Sequence, residues 1–255
     1  MKIISWNIAG AHLFRGDIQD STNYEEENLD YIIFHLKNSA ADFAGLQESH
    51  TPIDGGDKSQ AFIIGSELNY RYIDNHPYGK SHIKEGNLLS LSNLSKLPII
   101  KSYFHLVPNP HIQIVRPNGD NWVSFDVGFL VSEIKYNDKL VNIVNCHLVP
   151  FQYFNRDLAE PDFKLIRDDI QNFLLSLLDK PSIILGDFNY DKLKNIMPDI
   201  FIDNNYKEAF ENVETAPGKD QQDHILYSHH FKLKNYSITK LNTDHHLCQA
   251  EFIIS

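Results

Sequence analysis

Cysteine is scarce in this sequence: two in 255 residues, Cys146 and Cys248. Neither sits in a C-x-x-C or other metal-like spacing. That excludes a disulfide framework and a thiolate metal centre. Each lies in an apolar run and reads as a buried, reduced thiol. Long apolar runs are lacking too: none approaches the ~18 residues of a membrane span, so no transmembrane segment is expected. The opening "MKIISWNIAG" is broken by Ser5 and Asn7 and has no small-residue cleavage site, so it reads as a first strand. On that basis a cytoplasmic location is expected, with export lacking a visible signal left open. Basic residues are outnumbered, 23 Lys and Arg against 34 Asp and Glu, a formal net charge of −11. This argues against a surface that grips long duplex nucleic acid through its phosphates. It suits a protein that binds metal cations. Repeats, low-complexity tracts and linkers are also missing. One domain over 1–255 is expected, and nothing requires more than a monomer.

Apolar periodicity organises what is present. Residues 2–9 alternate as a strand. Residues 25–40 place Leu29, Ile32, Ile33 and Leu36 at helical spacing behind a run of acids, as the helix dipole favours. Residues 42–48 read as a strand ending in Glu48, and 59–68 as a weaker helix. Strands are expected near 87–92 and 98–107. Val123, Phe125, Val127, Phe129 and Val131 share one face of a strand over 121–131. "YNDK" turns it into the strand 139–149. Pro161 opens a helix to residue 178, with Phe163, Ile166, Ile170, Phe173, Leu174 and Leu177 on one side. Four more strands follow: "PSIILGD", "DHILYS", "FKLKNYSITK" and "LCQAEFII". Many strands, some in hairpins and some separated by helices, predict mixed sheets packed face to face with helices outside.

Polar groups punctuate the ends of six of these apolar strands: Asn7, Glu48, His147, the pair Asp187 and Asn189, Asp223, and the run Asp244–His245–His246. Each alone has a plainer reading. Asp at a strand end is usually a turn or a cap, and a lone His is usually structural. If the strand ends converge, together they form one polar site at the edge of a sandwich.

The chain resembles the endonuclease/exonuclease/phosphatase superfamily, the group of deoxyribonuclease I and exonuclease III. The motifs "SWNIAG", "LQES", "EGNLLSLSNLSKLPI", "VNCHL", "ILGDFN", "DHIL" and "TDHH" run in the family order over residues 3–246. The resemblance implies a four-layer α/β sandwich, two packed mixed β-sheets flanked by helices. It implies a Mg²⁺- or Mn²⁺-dependent phosphodiester hydrolase, nuclease-like, acting on a phosphodiester substrate such as a nucleic acid or nucleotide. Glu48 would be the main metal ligand, supported by the amide oxygen of Asn7 and by Asp244; magnesium takes oxygen ligands and keeps several waters. Asp187 would orient or deprotonate the attacking water, and Asn189 would hold phosphate or that water. Side chains two apart point the same way on an extended segment, which is the expected reason for their spacing. His245 would stabilise charge on the phosphate, oriented by Asp223. His147 would donate to a non-bridging oxygen or help the leaving group. His246 should face the other way and be structural.

The substrate is less legible. "GDFNY" is similar to the GDxNYR of inositol phosphatases, but Asp191 stands in place of the Arg, and that reading drops. The stretch 75–86 reads as a loop carrying Lys80, His82 and Lys84, which either meets substrate or is solvated. Phe151, Tyr153, Phe154 and Arg156 would stack on bases, touch lipid or pack beneath their loop. Residues 108–122 read as an edge hairpin. Two alternatives stand beside the nuclease-like enzyme: a sphingomyelin-type phospholipid phosphodiesterase, and a catalytically silent binding protein on the same fold.

Overall fold

The computed structural model describes residues 1–14, 24–55, 58–115, 119 and 121–254. In chain order the strands are β1 (Lys2–Asn7), β2 (His12–Phe14), β3 (Tyr24–Glu27), β4 (Phe43–Pro52), β5 (Tyr72–Lys80), β6 (Asn87–Ser95), β7 (Ile99–Leu106), β8 (Gln113–Val115), β9 (Asn121–Val123), β10 (Gly128–Tyr136), β11 (Lys139–His147), β12 (Ser182–Asp187), β13 (Tyr206–Glu208), β14 (Asp223–Ser228), β15 (Phe231–Thr239) and β16 (Leu247–Ile254). The helices are α1 (Leu29–Ser39), α2 (Gln60–Leu68), α3 (Lys164–Ser176) and the short α4 (Leu193–Ile196).

Twelve strands form two six-stranded sheets, ordered β15-β16-β1-β4-β6-β5 and β13-β14-β12-β11-β10-β7. Each sheet is antiparallel except for one parallel pair near its centre, β1 with β4 and β11 with β12. The sheets are therefore mixed and face one another across an apolar layer, as expected.

Period 2 sorts the side chains into three such layers. Ile3 and Phe43 from one sheet meet Ile143, Ile183, Leu185 and Ile225 from the other in the central layer. Ile4, Trp6, Ala44 and Leu46 turn outward to Ile32 and Leu36 of α1 and Ile64 of α2. Val144, Cys146 and Ile184 turn outward to Ile166, Ile170 and Phe173 of α3. Helix, sheet, sheet, helix makes four layers. Each fully buried Ile, Leu or Phe contributes roughly 1.5–3 kcal/mol against conformational entropy. Cys146 and Cys248 are buried free thiols within this packing.

Several boundaries differ from the sequence reading. The helix expected over 25–40 begins at Leu29, because Asn28 caps it: its side chain accepts from the Tyr31 N–H at 3.0 Å. The acids before it lie in β3, paired with β2. The expected strand over 121–131 is two strands. Ser124 N–H turns to the Ile112 carbonyl and Val107 N–H to that of Val127, so pairing changes partner between them. The helix over 161–178 starts as a 3₁₀ turn, Pro161–Phe163, before α3. Part of the stretch taken as a loop is β5, an edge strand where Pro77 is tolerated at a bulge. The expected edge hairpin at 108–122 contains β8 paired with β9; residues 116–118 and 120 lie outside the described residues. Among the described residues, no helix is long and apolar enough to cross a membrane.

Candidate active site

The two parallel pairs end at the same edge of the sandwich. Ligands of α/β sheets gather at the carboxyl ends of such strands. Parity decides which side chains reach the edge. Asn7 shares the inward face of β1 with Ile3. His147 shares that of β11 with Ile143, and Asp187 that of β12 with Ile183 and Leu185. Asp223 opens the antiparallel β14 directly opposite Asp187. All four point into the gap between the sheets, and all are buried.

Glu48 has the wrong parity. Its strand-mates Ala44 and Leu46 face the helices. A bulge between Leu46 and Ser49, with Glu48 at φ 55°, turns it back toward the site. Bulges re-aim side chains in this way, and a left-handed conformation at a non-glycine costs free energy that the surrounding structure must supply. The Glu48 Oε1 lies 3.7 Å from His147 Nε2.

Contacts join the cluster. Asp187 Oδ2 accepts from Asn7 Nδ2 at 3.2 Å and lies 3.4 Å from His245 Nε2 and 3.7 Å from His147 Nε2. His245 Nδ1 donates to Asp223 Oδ2 at 2.8 Å. His245 is thus held between two carboxylates. Burial opposes its charge, but Asp223 and Asp187 overcome that and lift its pKa well above the ordinary imidazole value. Burial likewise pushes the Asp187 carboxyl up, yet His245, His147 and the Asn189 N–H bring it below the usual carboxylate range. The pair at neutral pH is a carboxylate beside an imidazolium. Glu48 and Asp223 go the other way, raised by burial that their histidines only partly offset.

The Asp187–Asn189 spacing has a different cause from the expected one. The segment is not extended: Asn189 sits at φ 52°. Asp187 Oδ1 accepts from the Asn189 backbone N–H at 2.8 Å, an Asx turn that closes the strand end. The Asn189 amide donates to the Leu148 carbonyl and accepts from Gln152 Nε2 at 3.3 Å. Asn7 is held at both ends of its amide. Its Oδ1 accepts from Ala9 N–H, so the amide oxygen is engaged by backbone. His246 is buried, its Nε2 3.6 Å from Glu214 Oε1.

Asp244 accepts from the Tyr24 hydroxyl at 2.6 Å, and its negative charge raises the Glu48 pKa across the site. Among the described residues, three buried carboxylate oxygens have no hydrogen-bond partner: Glu48 Oε2, Asp223 Oδ1 and Asp244 Oδ1. Orphaned acceptors on mutually repelling acids are what an oxygen-coordinated divalent cation would satisfy. Among the described residues, the ligand-type atoms of Asp187, Asp223 and His245 also gather, within 4.8 Å of one another. Within that trio, His245 bridges Asp187 and Asp223 at 3.4 and 2.8 Å. Glu48, Asp223 and Asp244 carry those orphaned oxygens and could hold a cation.

Some polar residues carried no sequence signal of a role. Tyr24 and Tyr78 lie in stretches of ambiguous composition. Asn145 shares parity with His147 and was legible on that ground. It accepts from Gln47 Nε2 at 2.6 Å and donates to the Leu46 and Ser92 carbonyls, tying the sheets together beneath the site. Phe151 and Phe154 are buried, Arg156 is paired with Glu160 and Asp162, and Tyr153 alone of that group is exposed, with Lys219 over its ring. Lys84 is paired with Glu27.

No family model and no curated protein matches the sequence. Solved structures match over the whole chain, and they define its fold as that of the endonuclease/exonuclease/phosphatase structures. A protein of that description from Beutenbergia cavernae DSM 12333 has a TM-score of 0.71 at 15% identity, covering 100% of this chain and 72% of its own. A mannosyl-6-phosphatase from Bacteroides thetaiotaomicron VPI-5482 has a TM-score of 0.64 at 15% identity, with both chains fully covered. The human Nocturnin catalytic domain, bearing a sulfate anion, has a TM-score of 0.62 at 14% identity, over 100% of this chain and 94% of its own.

Proposed function

We propose that this chain is a divalent-metal-dependent phosphoester hydrolase that acts on phosphodiesters in the manner of a nuclease. The observation that carries the reading is the buried Asp187–His245–Asp223 network beside the unpartnered oxygens of Glu48 and Asp244. Glu48 and Asp244 would hold Mg²⁺ or Mn²⁺, with Asn7 holding Asp187 in place beside them. When bound, such a cation would polarise the phosphoryl group and neutralise its charge.

The chain's own residues supply the rest. Asp187 is a carboxylate with depressed basicity, so it orients the attacking water rather than removing its proton outright. His245, charged and aligned by Asp223, places a cation where negative charge grows on the phosphate. His147 stands on the other side of Asp187 to meet a non-bridging or leaving oxygen. Asn189 shapes the Asx turn that fixes Asp187. The side chains that face Glu48, Asp187 and Asp223 here are histidines, His147 and His245. So acidic a site favours the single charge of a phosphodiester over the double charge of a monoester.

The test is turnover of bis-p-nitrophenyl phosphate and a labelled oligonucleotide with Mg²⁺ or Mn²⁺, stopped by EDTA. Asp187→Asn and His245→Ala should each lower kcat by about 10²–10³-fold with the fold intact. Full activity in either variant would sink the assigned roles. A panel of single-stranded DNA, duplex DNA, RNA and sphingomyelin vesicles sorts the substrates. Turnover of sphingomyelin alone would replace the nuclease-like reading, and no turnover of anything would favour a silent binding protein.

A further inference from the structure

A short hydrogen bond joins Tyr78 to the site from outside the residues that strand ends supply. The Tyr78 hydroxyl lies 2.6 Å from His147 Nδ1. Tyr78 sits in β5, at the bulge between Pro77 and Gly79. Its ring meets the His147 ring edge-on, centroids 5.7 Å apart at 86°. Behind it, Gly79 lets Phe125 pack close: a Cβ there would lie 2.9 Å from Phe125 Cδ1. The Tyr78 ring packs against the core beside α3, so Tyr78 is held by packing as well as by its hydroxyl.

The direction of that hydrogen bond follows from the other side of the ring. His147 Nε2 faces Glu48 Oε1 and Asp187 Oδ2, both at 3.7 Å. Both are carboxylate oxygens. A lone pair on Nε2 would face two anions, whereas an N–H there faces two acceptors. In the neutral imidazole the proton then sits on Nε2 and the lone pair on Nδ1. Burial, then Glu48 and Asp187, hold the Tyr78 phenol far above its ordinary pKa, so it keeps the proton it donates.

We infer that Tyr78 is a positioning residue: its hydroxyl donates to His147 Nδ1 and locks the imidazole as the Nε2–H tautomer, a donor aimed into the phosphate-binding space. The consequence for catalysis rests on the proposed hydrolase reading; the tautomer does not. His147 in this state serves neither as a general base nor as a metal ligand through Nε2. It donates a hydrogen bond to a phosphoryl oxygen.

The test pairs spectroscopy with kinetics. In protein labelled with ¹⁵N-histidine, long-range proton–nitrogen correlation at neutral pH reads the tautomer, with His147→Gln assigning the signal. The wild type should show a protonated Nε2 and an acceptor Nδ1. Tyr78→Phe, which keeps the ring and its packing, should give mixed tautomers in a protein that still unfolds cooperatively, with a modestly lower melting temperature. Its kcat on bis-p-nitrophenyl phosphate should fall by on the order of tenfold with KM nearly constant. A protonated Nδ1 in the wild type, or an unchanged tautomer in Tyr78→Phe, overturns the inference. If the wild type turns over no phosphoester while the tautomer behaves as stated, the hydrolase reading fails and the positioning role stands.

Discussion

His50 shows how far a single side chain can be moved by its surroundings. It is buried, its Nε2 within 2.9 Å of Ser81 Oγ, and its ring presses on the α-carbon of Gly10, where an added Cβ would lie 2.1 Å from His50 Cε1. Burial and the neighbouring His12 lower its pKa to about 4; Lys84 and His82 act in the same direction and Glu27 against it. Between pH ~6.5 and 4 the unfolded chain takes up a proton that the folded chain refuses. The contribution of neutral His50 is therefore whole above pH ~6.5 and is lost as pH falls through that window, by up to about 3 kcal/mol. Denaturant unfolding at pH 7.5 and 4.5 should show the wild type losing more stability than His50→Gln by about that amount. Equal losses would show that His50 does not titrate this way.

Among the elements, the joint between β4 and β11 bears directly on the site. Asn145 bridges the sheets two residues before His147, and Gln47 lies in the bulge that turns Glu48 inward. Removing the Asn145 amide leaves Gln47 Nε2 without its 2.6 Å acceptor and two buried carbonyls without their donor. Asn145→Ala should cost about 2–3 kcal/mol in thermal or denaturant unfolding. It should also lower turnover, since the bulge would lose its anchor. A stable variant with wild-type turnover would show that the bulge holds Glu48 without this joint.

For the whole molecule, the acidic cluster carries a stability cost that a bound cation would offset. Glu48 and Asp244 repel each other, and each carries an unpartnered oxygen. Sites of this kind are destabilising until their ligand arrives. Metal-free Glu48→Gln should melt at or above the wild-type temperature, because it removes a buried charge. Wild type should be stabilised by millimolar Mn²⁺ in a thermal melt, and Glu48→Gln should lose that response. An undiminished Mn²⁺ effect in the variant would place the cation elsewhere.

Much of this was readable from periodicity. Alternating apolar residues carry Asn7, His147 and Asp187 to one face of their strands, and two parallel pairs carry those faces to one edge. That much needs only period 2 and the order of strands. The expectation at 25–40 missed a strand because acids suit a helix start as well as an exposed edge, and only pairing chooses between them. The spacing of Asp187 and Asn189 was visible while its reason was not, since an extended segment and an Asx turn share the same letters. Glu48 has the parity of the helix face, and a bulge with a left-handed residue, sustained by packing on both sides, brings it into the site. Tyr78 and Tyr24 arrive from distant segments to hold His147 and Asp244. The sequence by itself determined which acids, amides and histidines end the central strands, because that is a local pattern. Tertiary structure decided their aim, their protonation and their neighbours, because these depend on burial and on charges brought close only when the two sheets meet.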